Sequence, residues 1–426
     1  MSLSPFWRGA VLGLCWMTLW SQKPAAADEK TEIEKVIDEA IAQNAELAAE
    51  RETIQALQAR VPQAGALEDP RLGFGVTNLP VKNPAFNTEE MTGKEISINQ
   101  MVPFPGKLSL MKKAEKEALA SAKAMLEDKT NEIRYEVEET YFELYRVDKA
   151  IEVLQKNRGL LNAMAEVTQA RYAVGDESGA DVFRAQTMAT ELESELLAME
   201  QERQSLGARL NQLLNRPIDT PFTAAYDFSR TPLPAKPQTD QIETAPRLEA
   251  MGQEVEKAKT ELRVAKREYW PDFDFGLSYM QRDEIKNDPM SGSDLFAGSV
   301  MINIPLWAHW RQSRKVEEMA AEKRSMEHHY HHIRNELLYE VEETFRTLER
   351  QDRQLSLFEQ SLLPQTQATY ESAYFSYQTE QADFFSTIEA LKTLLETELA
   401  FYELESNYQI THARLNWIVG MKEEQP

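Results

Sequence analysis

The sequence predicts a mainly α-helical fold with a small β part, built from two copies of one unit. That unit reads helix, β-hairpin, long helix, turn, return helix. Three observations predict it: ordered strings that recur late in the chain, very long runs without helix breakers, and short segments of strict alternation.

The recurrence comes first. Asn131-Glu-Ile-Arg-Tyr-Glu-Val-Glu-Glu-Thr140 returns as Asn335-Glu-Leu-Leu-Tyr-Glu-Val-Glu-Glu-Thr344, an offset of 204. Ala180-Asp-Val-Phe183 returns as Ala382-Asp-Phe-Phe385 at 202, Ala208-Arg-Leu-Asn211 as Ala413-Arg-Leu-Asn416 at 205, and Pro70 with Phe74 as Pro271 with Phe275 at 201. Markers in one order at nearly constant spacing mean that a single long supersecondary unit was duplicated.

Residues 1–27 read as an export signal. Arg8 supplies the charged start, Ala10 to Trp20 is apolar, and Ala25-Ala26-Ala27 is a small-residue cleavage site. Leu14 stands where a lipid-attachment site before Cys15 wants a small residue, so Cys15 goes with the discarded leader. The chain has no other cysteine, so the mature fold holds no disulfide and no thiolate metal site. Loss of Arg8 and Lys23 takes the formal net charge from −23 to −25, a surface that repels nucleic acid phosphates. No later stretch approaches the ~18 consecutive apolar residues of a transmembrane helix, so any membrane span must be made of strands.

The first repeat covers 28–216. Its strands fall at about 70–78 and 94–103, its long helix at 107–173 and its return helix at 180–215. From Lys107 to Ala173 there is no proline and one glycine, Gly159, so the rod would reach roughly 100 Å. A linker at 217–246 holds six prolines and hands the chain to the second repeat, 247–420. There the strands fall at about 271–280 and 296–305, the long helix at 311–377 with Pro364 kinking it, and the return helix at 382–418. Residues 421–426 form a tail. Helices this long pair lengthwise.

In Asp272 to Tyr279, Phe273, Phe275, Leu277 and Tyr279 alternate with Asp272, Asp274, Gly276 and Ser278; Leu72, Phe74 and Val76 alternate with Gly73, Gly75 and Thr77. Each hairpin has one greasy face and one wet face. A bilayer demands that every backbone group be paired, which only a closed barrel achieves, and about eight strands make the smallest barrel. Four strands per chain must therefore pool with copies, and three copies give a twelve-stranded barrel. Asp272 and Asp274 would face its lumen and the aromatic and aliphatic residues the lipid.

The duplicated plan resembles the TolC family of outer-membrane efflux channels over essentially the whole mature chain. The marks are Gln100-Met-Val-Pro-Phe-Pro-Gly-Lys107 at the strand-to-helix exit, Tyr172-Ala-Val-Gly175 followed by Asp181-Val182, and Pro305 in the second half. Pro70-Arg-Leu, Asn78-Leu-Pro80 and Pro103-Phe-Pro-Gly-Lys107 are most similar to its heavy-metal, CzcC- and CusC-like branch, which ranks metal cations ahead of organic compounds as cargo. The resemblance implies a homotrimer whose barrel lies in outer-membrane lipid and continues as a twelve-helix α-barrel. It also implies helical tips docked on a periplasmic adaptor (membrane fusion) protein that leads to an inner-membrane RND transporter. It implies no cofactor and no chemistry.

Under that resemblance, Val174, Gly175, Ser178 and Asp181 are the adaptor-docking residues, although Val174-Gly-Asp-Glu-Ser-Gly179 also reads as a plain helix-to-helix turn. The second tip, Tyr377-Gln-Thr-Glu-Gln381, has no glycine, which suggests that the two tips dock differently. Asp383 aligns with the acidic position of the periplasmic gate, with Asp181 as its repeat counterpart; either residue also suits an N-cap. Three converging Asp383 carboxylates would attract cations and raise one another's pKa.

His328-His-Tyr-His-His332 places His328 and His332 on one helical face, weak metal-ligand candidates against the plainer reading of a solvated face. Tyr141, Leu144, Tyr145, Phe345 and Leu348 read as helix packing. The pairs Glu138-Glu139 and Glu342-Glu343 lack any accompanying nucleophile or base, so they read as a solvated acidic face or lumen lining and not as an enzyme site. A periplasmic coiled-coil adaptor or a trimeric rod would share the long helices but not the amphipathic hairpins. A duct for drugs or type I protein secretion is the alternative within the family.

Overall fold

The computed structural model describes residues 31–420 apart from 177, 224–225, 227–229 and 287–291. The expected export signal, 1–27, and the expected tail, 421–426, lie outside the described residues.

Each repeat opens with two helices where the sequence suggested one. In the first, α1 (Glu32–Gln43) and α2 (Ala45–Ala64) meet at Asn44. The Asn44 side chain accepts from the amides of Glu46 and Leu47 and donates to the Leu213 carbonyl. It thereby starts a new helix and ties it to the end of the return helix. The strands β1 (Arg71–Thr77) and β2 (Gly93–Val102) follow, then the rod α3 (Lys107–Val174) and the return helix α4 (Gly179–Leu213). The proline-rich linker is not extended to its end. It contains α5 (Thr239–Glu243), and Pro246 is already the first residue of α6 (Pro246–Arg267), where its missing N–H costs nothing. The second repeat continues with β3 (Asp272–Arg282), β4 (Leu295–Asn303), α7 (Gln312–Leu357), α8 (Leu363–Gln378) and α9 (Phe384–Val419).

The second rod is broken in a specific way. Between α7 and α8, Phe358–Leu362 forms a wide π turn. Pro364 has no N–H to donate and its ring would strike the carbonyl four residues back, so the backbone widens just before it instead of bending sharply. The expected single helix over 311–377 is thus two helices and a bulge.

The sheet is a meander in the order β1–β2–β3–β4, all antiparallel. Its register lays Phe74, Ile96, Tyr279 and Phe296 in one row and Leu72, Ile98 and Leu277 in the next. This face is bare: Phe74 is 74% exposed and Phe296 72%. The opposite face carries Gly73, Ser97 and Ser278 in one row and Asn99, Gly276 and Ser299 in another. A Cβ on Gly276 would lie 2.5 Å from Ser299 Oγ and 2.6 Å from Asn99 Oδ1. Glycine there leaves room for the Asn99 and Ser299 side chains on either side of it. Within the chain β1 pairs only with β2 and β4 only with β3, so both edges are open.

The helices repeat this order. Near the sheet, α2, α3, α6 and α7 stand side by side, and farther away α4, α3, α9 and α7 with α8. The molecule is a wall one element thick, with α1 and α5 packed against it. Among the described residues, three apolar clusters hold it together. Val153, Leu161, Met164, Leu192, Tyr377 and Leu391 form one of them, among the helix ends farthest from the sheet. Tyr141, Leu144, Tyr145 and Leu348 are buried in the wall, and Phe345 packs against the second cluster.

Candidate functional site

The end of the wall opposite the sheet is where both rods reverse. At the first reversal Gly175 takes φ 86°. Its N–H donates to Tyr172 O at 3.1 Å, and Asp176 N–H donates to Arg171 O at 3.0 Å. These are the two bonds that satisfy the last carbonyls of a helix closed by a left-handed residue. Ser178 then caps α4, its Oγ accepting from Ala180 N–H at 3.0 Å.

The second reversal lacks glycine but has the same backbone. Glu380 N–H donates to Tyr377 O at 3.2 Å and Gln381 N–H to Ser376 O at 2.8 Å, with Glu380 at φ 64°. A glutamate sits where the first tip has glycine, and a side chain in that region costs about 1–2 kcal/mol. The two rods therefore end through the same backbone bonds with different side-chain chemistry. Glu380→Gly is expected to stabilise the chain by about 0.5–1 kcal/mol after the extra backbone entropy of glycine is subtracted. A denaturant titration checks this, and a lower midpoint would refute it.

This geometry corrects the pairing of the acidic residues. The turns superpose at an offset of 205, at which Asp383 corresponds to Ser178 and not to Asp181. Asp383 is the N-cap of α9, Oδ1 accepting from Ser386 N–H at 2.8 Å. Asp181 is not a cap. It lies in the first turn of α4, 3.6 Å from the Arg184 guanidinium. The Ser386 hydroxyl and amide hold the Asp383 carboxyl below the usual carboxylate range in the single chain.

Arg171 and Tyr377 join the two tips; the sequence placed Tyr377 at the second tip but gave no sign of Arg171 or of this link. The Arg171 guanidinium donates to Tyr377 O at 2.9 Å and lies 4.6 Å from the centre of the Tyr377 ring. The Tyr377 hydroxyl shares a 2.9 Å hydrogen bond with Thr168 Oγ1, and the ring meets Phe384 edge-on at 5.9 Å. The available signal was Tyr172, which stands at the equivalent point of the first tip. Around this knot Tyr172, Val174, Phe183, Phe375 and Phe385 are exposed. Val174, Gly175, Ser178 and Asp181 thus share the first turn, while Asp383 lies across from them at the second.

Other candidates fall elsewhere. Asp272 is a clasp and not a free lumen acid: Oδ1 accepts from Phe104 N–H at 2.8 Å and Oδ2 from Lys107 Nζ at 3.0 Å, locking β3 to the start of α3. Asp274 is half-buried beside Met101 and Met301, and its Oδ1 has no hydrogen-bond partner. Glu138 is buried within the wall instead of solvated, and Glu139 is held by Tyr135 and Arg209. Glu342 pairs with Lys236 and Arg346. His328 and His332 are exposed on α7. Among the described residues no group of three His, Cys, Asp or Glu side chains is placed to hold a metal ion, and no helix is long and apolar enough to cross a membrane.

A wall one element thick, open at both edges and apolar on one face of its sheet, defines a segment of a channel. A family model described as outer membrane efflux protein matches residues 36–216 and 240–421, one match per repeat. The chain belongs to this family of outer-membrane efflux channels. No curated protein matches it in sequence. Among solved structures it is similar to the outer membrane protein VceC of Vibrio cholerae, at 19% identity and a TM-score of 0.76 over 92% of this chain and 97% of that one. It is also similar to the CmeC outer membrane channel of Campylobacter jejuni, at 13% identity and a TM-score of 0.77 over 92% and 87%. CusC, described for its transmembrane channel formation, matches at 16% identity and a TM-score of 0.78 over 92% of both chains. At these identities the likeness is one of fold.

Proposed function

We propose that three copies close into one ring, a twelve-stranded barrel in the outer membrane continued by a helical tube, and that it passively conducts metal cations outward. The open edges carry this reading. β1 and β4 each present an unpaired backbone row, and the helices beside them, α2 with α4 and α7 with α8, are likewise neighbourless on one side. Two copies would give eight strands, whose interior side chains fill, whereas twelve leave a lumen. The exposed aromatic rows then meet lipid, and the small polar face meets water.

The reversal ends, with their exposed Val174 and Tyr172, are the surface offered to a periplasmic adaptor coupled to an inner-membrane RND transporter. Ring closure would bring three Asp383 carboxylates toward the axis as a cation-attracting constriction. Asp383→Asn keeps the helix cap while removing charge. It is expected to raise conductance and weaken cation selectivity in planar bilayers, and an unchanged channel would discard Asp383 as the gate.

Cargo rests on the sequence marks shared with the heavy-metal branch. Deleting the gene should lower the tolerated zinc, copper or cobalt concentration several-fold and leave bile-salt tolerance unchanged. The reverse pattern would assign the duct to organic compounds.

A further inference from the structure

The duplication makes the open edge of the wall readable, because the closed interface between its halves shows what the edge lacks. On α3, the face turned toward the second repeat carries Ala124, Asp128 and Tyr135. Ala124 is 6% exposed, the Asp128 carboxyl feels the attraction of Arg247 on α6, whose guanidinium pairs with Glu336 of α7 at 3.2 Å, and Tyr135 stacks on Trp417 of α9 at 5.3 Å. At the offset of 204 that relates the duplicated motifs, these positions on α7 are His328, His332 and Tyr339. All three are exposed, Tyr339 at 66%. They look outward from the edge, where α7 packs on α5, α6 and α9 within the chain.

The element that would cover them is also defined. α2 is the counterpart of α6 at an offset of 201: Asn44 and Ala245 are the residues preceding each helix, Leu47 and Leu248 are buried in step, and so are Ile54 and Val255. At this offset Arg247, the residue whose charge Asp128 feels, corresponds to Glu46, and Met251, one turn on, to Glu50. Glu46 and Glu50 are exposed on the other open edge of the wall. Glu46 reaches Lys129 at 2.9 Å, but Lys129 is equally close to Glu132, so it keeps a partner if Glu46 turns away.

We propose that His328 and His332, together with Glu46 and Glu50 of the partner subunit, form a site at each seam of the ring for a divalent transition cation of the zinc class. One chain supplies two imidazoles one helical turn apart, and the partner supplies two carboxylates one turn apart. Four such ligands match the coordination number and donor preference of zinc, whereas magnesium does not select imidazole. No chain can complete the set alone, in keeping with the absence of any three-ligand group among its described residues. The inference rests on the ring of copies proposed above and adds a metal-dependent lock to its seams.

The test uses the assembled protein in detergent, purified without a histidine tag and treated with chelator. Zinc chloride should raise the temperature at which the assembly dissociates by several degrees, and magnesium chloride should not. His328→Ala with His332→Ala, and separately Glu46→Gln with Glu50→Gln, should remove the zinc effect while leaving an assembly in the presence of chelator. A wild-type assembly indifferent to zinc, or an unchanged zinc effect in either variant, overturns the site. A chain carrying His332→Cys and Glu46→Cys, treated with a short bifunctional thiol-reactive cross-linker, should give chains joined to one another, and purely intrachain products would refute the juxtaposition. A chain that never assembles would instead defeat the ring itself.

Discussion

Leu277→Arg should abolish heat-resistant assembly, whereas Ser278→Arg, one residue along the same strand, should leave it intact. Leu277 sits mid-strand on β3 in the row with Leu72 and Ile98 and is half exposed. A guanidinium at that depth in a bilayer costs about 2–4 kcal/mol, and a ring incurs the cost once per copy. Ser278 points to the opposite face, opposite Ser97 and Ala297, where a charge meets water. Its substitution is expected to alter ion selectivity only. Unboiled electrophoresis of outer-membrane extracts reads the first effect and single-channel recording the second. Equal loss in both variants would mean that the sheet is packed on protein and not on lipid.

Tyr377→Ala should loosen the tips by about 3–5 kcal/mol, since it removes a fully buried ring. The same change leaves Thr168 Oγ1 without its tyrosine partner and takes away the ring beneath Arg171. Tyr377→Phe keeps the ring and should cost about 1 kcal/mol, the ordinary worth of one hydrogen bond. Hydrogen exchange should rise around Thr168 and Phe384 in the alanine variant while the sheet end stays protected. Exchange that rises uniformly would show that the tip is not an independent cooperative unit.

The parts of this fold legible in sequence were those governed by a simple period. Alternation from Phe273 to Tyr279 is strict because one face is apolar and the other small or polar. The alternation of β4 is weaker because Leu295, Ala297 and Met301 lie on the same face as Asp274 and Ser278. Rod length was readable from the absence of helix breakers. What escaped reading was set by geometry without a period. The π turn is a response to one proline, and a Pro364 kink reads the same way in sequence whether the helix bends or widens. The misassigned acidic pair has a similar cause: the string Ala-Asp-Val-Phe aligns with Ala-Asp-Phe-Phe at 202, but the backbone repeats at 205. Serine and aspartate cap a helix equally well, so Ser178 and Asp383 look unrelated until their hydrogen bonds are seen. Asp272 was read as a lumen acid because alternation gives the face a side chain is on and not the lysine that reaches it.

The stoichiometry of the mature protein extracted from outer membranes in mild detergent tests the central claim most directly. Native mass measurement should find three chains per particle, and the particle should fall to single chains only on boiling. A water-soluble single chain would contradict the closure of β1 and β4 across copies, and with it the channel built from them.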